Sequence, residues 1–446
     1  MLRVHPVYLQ VFLFLFHTLL ASGQIQSPGI NQQYSKNELK ADLQLLRKKL
    51  EKIHPGLYRY TPKPAFDIFF DSLSNAIAKP MDEQEFLSFI TLLNAKIGDG
   101  HTMFLPSEAT TDHNNSKGRF LPFSLAYING RLYIVENCSA DPDIERGEEI
   151  VSINGEGTNV VMSQLMARQI RDGCNQTYPV WILNHYFTAY YSFVYGQPAQ
   201  FYLELRNNNG GLHKKQVAAL TKDSIKRLRQ IRYPASEDQG ITLEENKDSS
   251  TAILTIKSFD PDLLRSLYKQ DYKSVIDSAF TMLKQNRTTN LILDLRNNQG
   301  GDFEPGRYLL SYLLINPAHY LLSGKEAKLI RPKINHFTGK LFVLINGGSF
   351  SNTAIVSACL EREQRAVFAG EETGGNKHII SGQAIEISLP HSQIRGFIST
   401  TTFQIIPGAG DGHGVSPAHP VLPTIADILM GKDPAKALAL KLISER

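Results

Sequence analysis

Leu39, Leu43, Leu46, Leu50 and Ile53 recur at steps of three and four, and this spacing predicts one amphipathic helix. Ser35 and Glu38 in front of it form a capping-box pattern, and His54-Pro55-Gly56 stops it. Phe66, Phe69, Phe70, Leu73 and Ile77 predict a second helix, ended by Pro80. Asp82 and Glu85 open a third, which carries Phe86, Phe89, Ile90 and Leu93. After a polar lead-in over 24–34, these helices are expected to build an N-terminal helical domain over 24–106. It closes on Ile97-Gly98-Asp99-Gly100-His101-Thr102.

The period then changes. Residues 107–118 are polar and read as a linker. Leu132 to Val135 and Glu149 to Ile153 read as short strands. The second ends at Asn154-Gly155, a pair that supplies the positive φ of a tight hairpin. Val160 to Ile170 reads as a helix and Phe201 to Leu205 as a further strand, so 107–220 forms a β-rich middle domain. The charged, aperiodic stretch 221–249 reads as a second linker. From 250 to 446 strands and helices alternate. Ala252 to Ile256, Asn290 to Leu295 and Leu341 to Ile345 are strands. Tyr272 to Lys284, Leu309 to Leu314 and Ala354 to Leu360 are helical. The last two strands are near-continuous apolar runs, as expected where helices cover both faces of a sheet. The fold class is therefore mixed, multi-domain α/β, with a mostly parallel sheet in its C-terminal core.

Composition adds bounds. With 446 residues, 42% hydrophobic and 20% charged, the chain is globular and long enough for several cores. A net charge of +4 over that length is too weak to imply nucleic acid as a partner. Arg3 and His5 precede the apolar run Val11 to Phe16, which continues through Leu19-Leu20 to the small residues Ala21-Ser22-Gly23. This is the pattern of a cleaved secretory signal peptide over 1–23, so the chain is expected in the periplasm or outside the cell, with no stable membrane anchor after cleavage. Of the three cysteines, Cys138 and Cys174 fall in one domain; a disulfide and two buried thiols both remain open. No Cys/His cluster has zinc spacing, and no cofactor or metal is expected.

Two segments carry the chemistry. In Leu344-Ile345-Asn346-Gly347-Gly348-Ser349-Phe350-Ser351-Asn352 a buried strand runs through a glycine turn to a serine that starts a helix. Unpaired N–H groups and the dipole at a helix N-terminus favour a developing oxyanion beside such a serine. The same position also suits a serine that merely caps the helix. In Leu293-Asp294-Leu295-Arg296-Asn297-Asn298-Gln299-Gly300-Gly301-Asp302 a second buried strand feeds a glycine pair able to aim N–H groups into a cleft. Both loops lie at the carboxyl ends of strands, where sites form in parallel sheets.

Together the two segments resemble the tail-specific, or C-terminal processing, serine protease family. The resemblance continues through Ala369-Gly370-Glu371-Glu372-Thr373-Gly374-Gly375 to Gly414-Val415-Ser416-Pro417, covering about 250 to 425. It implies a crotonase-like core, Ser351 as nucleophile, and an oxyanion hole from Gly300 or Gly301 with the Asn352 N–H. More loosely, Glu145 to Gly155 resembles the family's PDZ module, which captures an extended peptide by strand addition.

The family offers two bases. Lys377, 26 residues after Ser351, resembles the lysine of one branch but stands one residue out of register, with Asn376 at the matching position. Gly98-Asp99-Gly100-His101-Thr102 resembles the histidine motif of the tricorn and retinoid-binding-protein-like branch, with Asp411 where the acidic partner lies. A histidine can take the serine proton near neutral pH and return it to the leaving amine. Asp99 and His413 are neighbours that could fill the acid and base roles. The usual aspartate after Gly-Val-x-Pro is missing, since Ala418 follows Pro417, and Phe350 and Asn352 replace the small residues around the nucleophile. The expected function is an exported serine endopeptidase acting on protein tails or unfolded chains. Ser351, His101 and Asp411 are its preferred triad, and a Ser351–Lys377 dyad is the alternative. A non-catalytic binding protein and an esterase on the same scaffold are the competing readings.

Overall fold

The computed structural model describes residues 32–234, 238–246, 250–408 and 410–445. The expected signal peptide lies outside these residues. The first helix spans Lys36–Ile53, with the Ser35/Glu38 capping box formed in both directions. Leu39, Leu46 and Leu50 on it are fully buried, each contributing about 1.5–3 kcal/mol of apolar burial. Helices Lys63–Ala76, Glu83–Ile90 and Leu92–Ile97 complete the N-terminal group. Their apolar cluster is not self-contained. It includes Phe104 together with Leu389, Ile394 and Ile398 from far along the chain. Strand Met103–Leu105 pairs antiparallel with Arg395–Ile398, which fixes the loop before it against the C-terminal half.

In the middle of the chain Phe123–Ile128, Arg131–Asn137, Glu149–Ile153, Gln200–Arg206 and Leu212–Ala218 form a sheet in that order, with Glu156–Gly157 beside Glu149–Ile153. The Asn154-Gly155 turn has positive φ at both residues and joins two antiparallel strands, as its sequence demands. Helices Thr158–Met166 and Thr177–Tyr195 accompany the sheet.

The C-terminal sheet runs Ile241–Glu245, Thr251–Ile256, Asn290–Asp294, Lys340–Ile345, Val367–Gly370, His419–Pro420. Only the first of these is antiparallel to its neighbour. Leu291, Leu293 and Val343 face the cluster that packs helices Tyr272–Gln285, Phe303–Leu313 and Asn352–Arg362. Ile292, Phe342 and Leu344 face Ala435 and Ala439 of helix Pro434–Ser444 on the other side. Two covered faces explain the unbroken apolar runs.

Both segments read as linkers hold regular structure among the described residues. Residues 107–118 hold the helix Glu108–Ser116, capped by Ser107. It buries no residue, which is why no apolar period marks it. Within 221–249, helix Lys222–Arg232 is also without a buried residue. It is held to the middle sheet by Arg229 on Glu136 (2.8 Å) and Arg232 on the carbonyls of Asn137 and Ser139. Ile241–Glu245 in the same stretch is the edge strand of the C-terminal sheet. The cysteines are all free: Cys138 and Cys359 are buried, whereas Cys174 is exposed. Neither the disulfide nor a pair of buried thiols describes Cys138 and Cys174.

Candidate active site

Strand Lys340–Ile345 leaves the sheet through Asn346-Gly347-Gly348, and this loop is stitched to the neighbouring one. Ser349 Oγ donates to the Leu295 carbonyl at 2.9 Å, the Asn297 N–H donates to Asn346 Oδ1 at 2.9 Å, and the Phe350 N–H donates to the Asn298 carbonyl at 3.2 Å. The chain then turns sharply at Ser351, whose φ of 53° and ψ of −124° lie outside the regions a serine prefers. Such a conformation costs on the order of 1–3 kcal/mol and persists only where its surroundings enforce it. Ser351 stands at the N-cap of helix Asn352–Arg362 yet makes no side-chain capping bond. Its hydroxyl points into a cleft of about 530 Å³.

His101 meets it there. His101 Nε2 lies 3.0 Å from Ser351 Oγ, across 250 residues of sequence. The loop that delivers His101 follows helix Leu92–Ile97, which ends on a left-handed Gly98. Asp99, 2% exposed, anchors that loop. Asp99 Oδ1 accepts the His101 backbone N–H at 2.8 Å, and Asp99 Oδ2 accepts His54 Nε2–H at 2.6 Å. His54 Nδ1 accepts the Gly56 N–H at 3.1 Å, so Nε2 carries the proton. Burial alone would raise the Asp99 pKa; the hydrogen bond from His54, aided by the His101 backbone N–H, outweighs it and holds Asp99 ionised well below its ordinary range. Burial lowers the His101 pKa, and the Asp99 charge opposes this in part. The His101 ring stacks on Phe350 with centroids 4.7 Å apart, and Phe350 stacks on Tyr178 at 4.0 Å.

The structure does not bring the other proposed partners to this pair. Asp411 keeps a carboxylate that is 70% exposed. It accepts the His413 N–H at 3.1 Å. His101 Nδ1 is buried and has no hydrogen-bond partner among the described residues, so Asp411 does not orient the imidazole. Lys377 points the other way: its Nζ pairs with Glu361 Oε2 at 3.0 Å and does not line the cleft. Asn376 takes the inward position, fully buried, with its side chain on Tyr60 Oη at 2.7 Å. The two neighbours lie in the loop before strand Ile379–Gly382 and turn to opposite sides. His413, the substitute base, pairs with Glu372 at 3.0 Å instead.

The glycine pair is divided. The Gly300 N–H is tied to Asn298 Oδ1 at 2.9 Å. Gly301 and Asn352 keep backbone N–H groups with no acceptor among the described residues. Gly300 has φ of 97°, and a Cβ there would lie 2.7 Å from Asn352 N and 2.8 Å from Ser351 Cβ. Only glycine lets the two loops approach this closely.

Sequence reasoning missed the contribution of residues 172–181. Asp172, buried, accepts the Gly100 N–H at 2.9 Å and the Asn376 N–H at 2.9 Å. Burial, then the nearby Asp99 charge, pushes its pKa up to about 7 against those two N–H groups. Trp181 Nε1–H donates to Asn297 Oδ1 at 2.8 Å. A Cβ on Gly348 would lie 2.3 Å from that indole nitrogen, which accounts for the glycine. Elsewhere the cleft is walled by Met103, Leu105, Phe303, Ile355, Ile380 and Phe403. A buried nucleophile turn, an imidazole in contact with it and free N–H donors beside it can perform acyl transfer on a substrate with an apolar side chain.

Residues 250–418 match the model of peptidase family S41. Over 304 residues the chain is 25% identical to the chloroplastic carboxyl-terminal-processing peptidase 3 of Arabidopsis thaliana, covering 64% of this chain and 51% of that protein. The chain thus spans about half the length of that relative. The fold is similar to that of mature CPAF, with a TM-score of 0.66 at 15% identity over 91% of this chain and 96% of CPAF. The structure of mature CPAF complexed with lactacystin gives the same TM-score over 91% of this chain and 97% of that one.

Proposed function

We propose that the chain, whose residues 250–418 match the model of peptidase family S41, is an exported serine endopeptidase of that family in which Ser351 is the nucleophile and His101 the general base. Export is supported by the signal-peptide pattern of residues 1–23. Ser351 Oγ attacks the scissile carbonyl carbon while its proton passes to His101 Nε2. The oxyanion is held by the N–H groups of Asn352 and Gly301. The tetrahedral intermediate collapses, His101 hands the proton to the departing amine, and water then repeats the sequence on the acyl-enzyme. Asp99 acts behind the base, holding its backbone and placing a fixed negative charge near the imidazolium.

The single observation that carries the reading is the 3.0 Å contact between Ser351 Oγ and His101 Nε2. It favours the histidine branch over a Ser351–Lys377 dyad. The apolar cleft walls favour an extended substrate with a hydrophobic residue at the cleaved bond. The middle sheet, by its resemblance to a PDZ module, is the proposed docking place for a chain end. Hydrolysis of an unfolded polypeptide by the mature chain, compared with Ser351→Ala and with labelling by a serine-directed phosphonate, tests the proposal. Hydrolysis and labelling should both disappear in the variant; turnover that persists in Ser351→Ala removes the nucleophile assignment.

A further inference from the structure

Outside the cleft, three metal-ligating side chains converge where the segment after Asp172 meets the loop before Gly414. Cys174, Asp411 and His413 each place a donor atom within 4.8 Å of the other two. Asp411 and His413 stand two residues apart, but Cys174 comes from far earlier in the chain, so no ligand spacing in the sequence announces the set. Their meeting is fixed by backbone contacts. The Cys174 N–H donates to the Asp411 carbonyl at 3.1 Å, and the His413 N–H to Asp411 Oδ1 at 3.1 Å.

The imidazole of His413 is oriented from behind. Its Nδ1 bonds to Glu372 Oε1 at 3.0 Å. Glu372 Oε1 is itself held by the Gly414 N–H at 2.7 Å and by Asn175 Nδ2 at 3.2 Å. Donation from Nδ1 to Glu372 leaves the Nε2 lone pair facing Asp411 Oδ2 at 3.8 Å. In this tautomer two acceptors face one another, an arrangement that a shared cation would satisfy. A carboxylate behind the ligating histidine is the usual support of a metal-bound imidazole.

We propose that Cys174, Asp411 and His413 form a binding site for a zinc-class divalent cation, with Glu372 orienting His413. One thiolate, one imidazole and one carboxylate make a donor set that suits Zn²⁺ and disfavours Mg²⁺ and Ca²⁺, which take oxygen ligands. Metal–ligand bonds of ~2.0–2.3 Å put tetrahedral ligands roughly 3.3–3.8 Å apart, so small side-chain rotations close the site and leave a fourth position for water. The Cys174 thiol loses its proton to solvent as the Sγ–metal bond forms. The bound ion would staple residues 172–175, which hold the His101 loop, to residues 411–414. The site does not depend on the peptidase reading.

The test uses the metal-free mature chain, titrated with Zn²⁺ against a chromophoric chelator and with Co²⁺ by absorption spectroscopy. One equivalent should bind, raise the melting temperature and, with Co²⁺, give a near-ultraviolet thiolate-to-cobalt band. Cys174→Ser should abolish that band and weaken Zn²⁺ binding at least about tenfold, and His413→Gln should weaken it likewise. Cys138→Ser serves as the control and should change neither. All three ligands are exposed, so the variants should fold, and unchanged melting temperatures without metal check this. Absence of stoichiometric binding overturns the proposal, as does a cobalt–thiolate band that survives in Cys174→Ser.

Discussion

Asp172 accepts the backbone N–H of Gly100, the residue before His101, at 2.9 Å, and its second oxygen accepts the N–H of Asn376. The loop that carries the proposed base is thus held by a carboxylate from a different part of the chain. Asp172→Asn keeps the shape but turns an N–H donor toward one of those two N–H groups. Displacement of the base by about 1 Å can cost on the order of 100-fold. We expect kcat to fall about 10- to 100-fold with little change in KM, because nothing that binds substrate is removed. Restoration by Asp172→Glu is not expected, since the longer side chain overfills the buried site. A Ser351 hydroxyl that reacts as fast in the variant as in the parent chain would count against the positioning role.

The same carboxylate makes stability depend on pH. Its folded pKa of about 7 lies above the ordinary value near ~3.9, so the folded state binds the extra proton between these limits. The stability it contributes is complete below about pH 4 and is lost as pH rises through about 7. Three units correspond to roughly 4 kcal/mol. Chemical denaturation from pH 4 to 8 should show wild type losing stability relative to Asp172→Asn by up to this amount. A difference between the two that is flat across that range contradicts the assignment.

In the proposed mechanism His101 is the base, and burial depresses its pKa. A base works only when unprotonated, so activity is lost as pH falls through its pKa. The acidic limb of kcat/KM should therefore have its midpoint below ~6.5, the ordinary histidine value. Asp99 opposes the depression. Removing its charge with Asp99→Asn should move the limb further toward acid while lowering kcat, because the His101 backbone loses part of its anchor. A limb that moves toward alkaline pH in Asp99→Asn would falsify this account of the electrostatics.

Lys377 gives a sharper choice between the two branches of the chemistry. Its ammonium pairs with Glu361 on a partly exposed face, at 3.0 Å. Such pairs contribute about 0–1 kcal/mol to stability. Lys377→Ala should leave kcat within about twofold of the parent and the melting temperature within a few degrees. His101→Ala, measured beside it, should lower kcat by on the order of 10³–10⁶. The reverse pattern would return the lysine dyad to first place.

What the sequence made legible was local. Capping boxes at Ser35 and Asp82 and the apolar runs of Asn290–Asp294 and Lys340–Ile345 all state their structure within a few residues. The Ser351 turn and the Gly98–Thr102 loop were visible because glycines and a strand-to-helix change mark them. What stayed hidden depends on contacts between remote segments. Nothing near Asp172, Tyr178 or Trp181 signals that they enclose the nucleophile loop. Helices Glu108–Ser116 and Lys222–Arg232 bury no residue, so periodicity had nothing to report. Asp411 shows the converse. Its place along the chain suits an acidic partner, but its loop turns the carboxylate to solvent beside His413.

Gly300 is the residue where loop geometry and chemistry meet most closely. Its positive φ and the 2.7 Å from a would-be Cβ to Asn352 N leave no room for a methyl group. The atom it would strike belongs to the peptide that carries one proposed oxyanion donor, and that peptide cannot retreat because helix Asn352–Arg362 is packed into the core. Gly300→Ala must therefore push its own loop outward, taking the Gly301 N–H with it. Loss of one oxyanion donor costs about 10²–10³ in kcat, and we expect a loss of that size with KM largely retained. The strained backbone should also lower stability, by ~1–2 kcal/mol. Gly301→Ala is the companion measurement. Its would-be Cβ lies 2.4 Å from the Phe259–Asp260 backbone, away from Ser351. Loss of stability should dominate there, whereas in Gly300→Ala loss of kcat should dominate. Equal effects of the two substitutions on kcat and on melting temperature would mean that the glycine pair shapes the loop without presenting a donor.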